Sequence, residues 1–310
     1  MGSSLGPYIL RRVGLALPTL LGVTVIIFLL IRLIPGDPAR VIAGIQASEE
    51  EVARMRVELG LDQPFYVQYA RFLTRLVRGD LGLSAVTRVS VIEEIGARSR
   101  ATMLLAISSI VVATIVGLAA GIVSATRQYS ALDYLVMGVA LFGVSIPVFW
   151  LGLMLMLLFS VSLHWLPAGG YGGPAHFVLP TIALAAFSIA IIARMTRSSL
   201  LETFSQDYVR TAHAKGLRGH AVILRHALKN ALIPILTVIG LQFGALLGGA
   251  ILTETTFAWP GMGRLLVNAI SSRDYPVIQG IVLVFALLFA AVNLAVDLLY
   301  AYVDPRIHYG

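Results

Sequence analysis

The chain has 310 residues, of which 58% are hydrophobic and only 13% charged, about half the charged fraction of an ordinary soluble domain. A mean hydropathy of +0.87 leaves too few polar groups to cover a water-facing surface, so the composition is that of an integral membrane protein. The absence of cysteine excludes disulfide frameworks, thiolate zinc sites, iron–sulfur clusters and cysteine nucleophiles together. The net charge of +7 does not point to nucleic acid, because basic residues in a polytopic chain mark inner loops and contacts with anionic lipid.

A membrane span needs about 20 apolar residues. Windows without formal charge (13–31, 101–126, 134–159, 177–193, 230–253 and 275–296) predict six spans, at about 13–34, 101–126, 134–159, 177–197, 230–253 and 275–299. The third and fourth come from one uncharged run, divided by the turn-rich sequence His164-Trp165-Leu166-Pro167-Ala168-Gly169-Gly170-Tyr171-Gly172-Gly173-Pro174. Lipid requires backbone groups to be satisfied within each segment, and the alternation of barrel strands is absent, so the fold class is all-α with six transmembrane helices. The first span has a long apolar core and no small-residue cleavage site, which predicts a retained anchor after the short N-terminal stretch 1–12.

The outer segment 35–98 reads as short helices. Ser48 and Glu51 form a capping-box pattern with Gly60 as terminator, and Ser90 and Glu93 repeat the pattern before the second span. Between them, Phe65, Tyr69, Phe72 and Leu76 recur at helical spacing after Pro64, with Arg71, Arg75 and Arg78 off that face. Two readings fit: a helix lying in the membrane interface, or one packed on the protein's own spans.

Even spans place both termini on one side, with the loops near 125–133 and 194–229. That side carries 11 basic and 5 acidic residues, and among short loops 160–176 has no Lys or Arg while 194–229 is rich in them. The positive-inside rule therefore predicts cytoplasmic termini and a cytoplasmic segment 198–229. In that segment Ser205 or Asp207 can cap a helix, Ala212 and Ala214 keep it slim, and Gly216 can end it in a left-handed conformation. A second short helix, 219–231, leads into the fifth span. A slim helix ringed by Tyr208, Arg210 and Lys215 has the form of a docking knob; the alternative is a solvated charged loop.

The sequence Arg210-Thr211-Ala212-His213-Ala214-Lys215-Gly216-Leu217, followed by Arg225-His226-Ala227-Leu228-Lys229-Asn230-Ala231 and Pro234, resembles the EAA-type coupling motif of bacterial ABC importer permeases, in the form found in dipeptide and oligopeptide permeases. Arg210 stands where the motif has Glu, Thr211 replaces the first Ala, and Ala212 and Gly216 match. Leu29 to Pro38 resembles the exit of span one in the first (B-type) permease subunit of such systems. Glu254-Thr255-Thr256-Phe257-Ala258-Trp259-Pro260-Gly261-Met262-Gly263-Arg264, with Arg273-Asp274-Tyr275-Pro276, resembles the outer loop before the last span. The resemblance runs from about Tyr8 to Arg306. It implies a type I ABC importer permease fold in the bacterial inner membrane, pairing with a second permease subunit, two ABC ATPase subunits and an external substrate-binding protein. Short peptides are the implied substrates, with nickel chelates or haem the alternatives within related systems. No cofactor would be held by the chain itself, ATP and Mg residing on the ATPases. The resemblance implies ATPase coupling by Tyr208, Arg210, Thr211, Ala212, Ala214, Lys215, Gly216 and Leu217.

Other features add expectations. Gly240, Gly244 and Gly248 share one face of span five at a spacing that favours close helix packing, and Gly117 and Gly121 repeat it more weakly in span two. Glu254, Phe257, Trp259, Pro260, Gly261 and Gly263 are outer-gate candidates, with Trp259 alternatively an interfacial anchor. Gln242, Asn293 and Asp297 are pathway candidates, since polar groups inside spans are costly. Pro147 and Pro234 are expected to bend spans three and five. No phosphate-binding Gly-x-x-x-x-Gly-Lys-Ser/Thr, His-Glu-x-x-His or Gly-x-Ser-x-Gly motif occurs, so the expectation is a transport subunit and not an ATPase, metalloenzyme or hydrolase. A standalone ion-coupled transporter would need internal repeats and mid-membrane ionisable groups, which the sequence lacks.

Overall fold

The computed structural model describes residues 5–33, 37–44, 46–58 and 60–303. Ile34–Gly36 of the span-one exit motif, and Asp304 and Arg306, lie outside them. The order is α1 (Leu5–Leu33), α2 (Pro38–Ala43), α3 (Glu49–Glu58), α4 (Phe65–Val77), α5 (Val91–Thr126), α6 (Ala131–Ser145), α7 (Val148–Leu155), α8 (Ala175–Phe204), α9 (Asp207–Ala214), α10 (Gly219–Val222), α11 (Leu228–Thr256), α12 (Met262–Ser271) and α13 (Tyr275–Val303). Among the described residues, four stretches are long and apolar enough to cross a membrane: Val91–Thr126, Ala175–Phe204, Gly219–Thr256 and Tyr275–Leu298. The pair α6 and α7 makes a fifth if its two bent parts count as one, and α1 holds the shorter apolar stretch Leu17–Leu29.

Several helices run past the charge-free windows. Helix α5 begins ten residues before the expected span, and α8 extends to Phe204. A helix stops where backbone bonding stops and not where charge begins, so Glu93, Arg98 and Arg100 are simply carried on the end of α5. Span three is two helices meeting at 106°. The break falls where expected: Ile146 is extended before Pro147 (φ −87°, ψ 127°), the conformation proline imposes on its predecessor. Pro234, by contrast, lies inside an unbroken α11. Two π-helical turns were not foreseen, Met156–Ser162 after α7 and Ile223–Ala227 between α10 and α11.

The chain divides into two compact units, residues 1–101 with 261–290, and 102–260 with 291–310. In the first, Ile27, Tyr275 and Leu283 form a buried cluster that receives Phe72 and Leu76. Tyr69 hydrogen-bonds Thr24 (2.8 Å between the hydroxyls), and its ring meets Phe28 edge-on at 5.1 Å. These contacts decide between the two readings of α4: most of its apolar face packs on the protein's own helices, leaving Phe65 and Tyr66 exposed. The Ser48–Glu51 box forms reciprocally, Ser48 N–H donating to Glu51 Oε2 (2.8 Å) and Glu51 N–H to Ser48 Oγ (3.3 Å). The Ser48 N–H, and the Ser48 hydroxyl that also donates to Glu51 Oε2 (3.0 Å), hold the Glu51 carboxyl below its ordinary range. At Ser90 it is the backbone carbonyl that accepts, from Glu93 and Glu94 (both 3.1 Å).

Buried Asp274 organises a turn in the same unit. It accepts from Ser84 Oγ, from Ala85 N–H (3.1 Å) and from Val277 N–H (3.4 Å), joining residues 84–86 to the start of α13.

The second unit is built on α5, α8 and α11. Ala125, Leu200, Ala227, Ala231 and Ile235 form one cluster between them, and Ala113, Ala185 and Ile192 another. Small residues set the spacing. A Cβ on Gly121 would lie 2.5 Å from Thr196 Cβ and 2.6 Å from the Ala193 carbonyl oxygen; one on Gly117 would lie 2.8 Å from Ile192. The glycine pair with the weaker sequence signal thus makes the closer backbone approach. On α11, Gly240 is pressed against Val296 and Gly244 is buried. Gly248 is exposed, and among the described residues no heavy atom lies within 4 Å of a Cβ placed there. Large apolar side chains such as Phe142 (70% exposed), Val139 and Ile115 cover the outside of this unit, as lipid contact demands.

Candidate functional site

Helix α9 stands between the end of α8 and the start of α10. Gln206 occupies its N-cap position with no side-chain bond, so neither Ser205 nor Asp207 caps it; the Ser205 hydroxyl turns back to the Glu202 carbonyl (2.7 Å). Its end is a Schellman turn: Gly216 adopts φ +78°, Gly216 N–H reaches the His213 carbonyl (2.9 Å), and Leu217 N–H reaches that of Ala212 (3.4 Å).

The helix has two faces. Val209 and Ala212 are buried and pack with Val222 and Phe204, fixing α9 to both flanking segments. Tyr208, Arg210, Thr211, Ala214, Lys215 and Leu217 are exposed. Ala212 therefore does not belong to an outward docking surface; its small side chain lets α9 lie close to Val222. Arg210 and Asp207 are 3.9 Å apart at the surface, a pair worth little. Tyr208 has a firmer partner, its oxygen accepting from Asn230 Nδ2 at 2.8 Å.

Close to this region the structure assembles a polar cluster that periodicity gave no sign of. Asp133, 2% exposed, accepts from Arg197 Nε and Nη2 (2.8 Å each), from Tyr129 N–H (2.9 Å) and from Ser124 Oγ. The bidentate fork ties the α5–α6 turn to α8 ten residues before α9 begins. Asp133 and Arg197 are 64 positions apart, and each reads singly as a boundary charge.

At the far end of α11, Glu254 is fully buried and accepts from Thr102 Oγ1 at 2.6 Å. Phe257 and Trp259 are also buried, which rules out Trp259 as an interfacial anchor. The Trp259 ring meets Phe177 at 4.6 Å and Tyr171 at 4.9 Å, both edge-on. Gly170 N–H donates to the Phe257 carbonyl (2.8 Å), and a Cβ on Gly169 would sit 2.5 Å from that oxygen. The segment 254–260 is thus stitched to the turn-rich loop 163–174, with Ala258 held at φ +52°. Pro260 is half-buried, and Gly261 and Gly263 are buried at the start of α12.

Gln242 accepts from Ser188 Oγ (3.2 Å), linking α11 to α8. Asn293 and Asp297 are half-buried on α13, one turn apart. Among the described residues no three His, Asp or Glu side chains gather as a metal set.

Residues 117–309 match the family of binding-protein-dependent transport system inner membrane components, and residues 6–106 match its N-terminal component. The chain belongs to this family. Among curated relatives of this permease, the dipeptide transport system permease protein DppB of Alkalihalophilus pseudofirmus is 49% identical, over 97% of this chain and 99% of the relative. The glutathione transport system permease protein GsiC of Salmonella typhimurium is 48% identical with the same coverage. Among solved structures, the inward-facing MetNI methionine ABC transporter superposes with a TM-score of 0.60 at 17% identity, covering 69% of the permease and 97% of that chain. An amino acid ABC transporter gives 0.54 at 15% identity, covering 68% and 94%. The permease accordingly has the type I ABC importer fold and is a membrane-embedded subunit of an ABC importer.

Proposed function

We propose that the permease supplies half of the path by which an ATP-driven importer takes up short peptides, and that α9 is its docking helix for an ATPase subunit. In this reading a second, similar permease completes the path, two ATPases lie on the α9 side with both termini, and an external binding protein delivers substrate from the other. The observation that carries it is the two-faced α9: one side locked to Val222 and Phe204, the other offering Tyr208, Arg210, Thr211, Ala214 and Lys215 to a partner. Closure of the ATPases on ATP would push on α9, and the buried Val209 and Ala212 would pass that displacement to α8 through Phe204 and to α10 through Val222.

The peptide substrate rests on the dipeptide and glutathione permeases among its relatives, both of which carry peptide-like cargo by name. The chain performs no bond chemistry in this account. Its test is uptake of a labelled dipeptide by proteoliposomes holding the permease pair, both ATPases and the binding protein. Unlabelled di- and tripeptides should compete and free methionine should not. Competition by free amino acids alone would overturn the peptide assignment.

A further inference from the structure

The inner face of α9 is fixed by apolar packing, but packing alone leaves a short helix free to roll about its axis. One polar contact opposes that roll. Asn230 Nδ2 donates to Tyr208 Oη at 2.8 Å, and the same amide lies 3.3 Å from the His226 carbonyl. His226 belongs to the π turn Ile223–Ala227, immediately before α11. A π turn carries one residue more than the α register and is a point at which a helix can kink. The path from docking helix to span runs through this π turn, and the Asn230–Tyr208 bond bridges it.

We propose that Asn230 is a positioning residue: through Tyr208 it clamps α9 directly to α11, bypassing the π turn, so that displacement of the docking helix reaches the span without being absorbed by the turn. This rests on the reading of α9 as the ATPase-docking helix. Tyr208 is only partly covered and Asn230 is exposed, so the bond is worth a modest amount, about a two- to tenfold bias toward the clamped geometry. That is too little to decide whether the protein folds and enough to change how efficiently each ATP is used.

The test is substrate moved per ATP hydrolysed by the full complex in proteoliposomes. Asn230→Leu and Tyr208→Phe should each lower that ratio two- to tenfold, and the double variant should fall no further than either single one. Asn230→Asp separates the two contacts of the amide. A carboxylate can accept from the Tyr208 hydroxyl but cannot donate to the His226 carbonyl. It should hold the ratio near wild type, and should lose it once Tyr208→Phe is added. A normal ratio for Asn230→Leu, or an additive double variant, would overturn the proposal. Crosslinking to an ATPase from Ala214→Cys, introduced into the otherwise unaltered chain and into each of these variants, distinguishes the premise. If the crosslink forms and the ratio is unmoved, the clamp is wrong; if it is absent from the chain whose sole change is Ala214→Cys, the docking assignment itself is wrong.

Discussion

Replacing Gly121 with alanine adds a single methyl group at the closest approach of α5 and α8. The new Cβ would lie 2.5 Å from Thr196 Cβ and 2.6 Å from the Ala193 carbonyl oxygen. Carbon contacts are comfortable at about 3.5–4.0 Å, so the helices must part by about 1 Å. The carbonyl is bonded into α8 and cannot rotate away, which puts the overpacking cost near the top of the usual range, about 3 kcal/mol. Alanine returns about 1 kcal/mol through its better helix propensity. With about 2.1 cal/mol/K of unfolding entropy per residue, the net loss of about 2 kcal/mol corresponds to about 3 °C in melting temperature for a chain of 310 residues. Gly248→Ala makes the same chemical change on α11 where no atom stands within 4 Å. Only the propensity gain acts there, and its midpoint should stay level or rise. Thermal unfolding of the two variants in one detergent, followed by loss of the monodisperse peak on size exclusion, is the assay. Equal midpoints for Gly121→Ala and Gly248→Ala would refute the packing argument.

Gly216→Val places a β-branched residue at φ +78°, a conformation costing such residues about 1–2 kcal/mol. It should leave membrane insertion intact, measured by fractionation, while reducing ATP-driven uptake severalfold. Asp133→Asn weakens the fork from Arg197 and should lower the melting temperature, whereas Arg197→Lys should be milder because it keeps the charge and loses only the bidentate geometry. Asp274→Ala frees the turn at residues 84–86, so limited trypsin digestion should cleave after Arg88 markedly faster than in the parent chain.

The sequence made the helical content readable because membrane hydrocarbon permits few backbone solutions, and charge-free runs locate them. Local signals also transferred directly: the Ser48–Glu51 box, the break at Pro147 and the left-handed Gly216 each depend on neighbours a few residues away. What stayed hidden depends on distant partners. Gly240, Gly244 and Gly248 are equivalent in sequence, yet only the surroundings supplied by α13 distinguish a glycine pressed on Val296 from one facing open space. Ala212 belongs to the motif that marks the docking helix, but its neighbour Val222 places it on the inward face. The Asp133–Arg197 fork joins residues that carry no spacing rule, and the aromatic packing of Trp259 depends on Tyr171 and Phe177 from another loop. The π turn at 223–227 has no compositional mark at all.

The chain lacks cysteine, so one introduced thiol reports from a single place. The most direct trial of the docking helix is a pair of such variants, Ala214→Cys on the exposed face and Ala212→Cys on the buried one, each in the assembled transporter. A short bifunctional reagent should join position 214 to an ATPase subunit, with a yield that changes on adding ATP, and should leave position 212 unjoined. Failure of position 214 to reach any ATPase, or its labelling by an impermeant maleimide from the face of the membrane bearing the binding protein, would contradict the account.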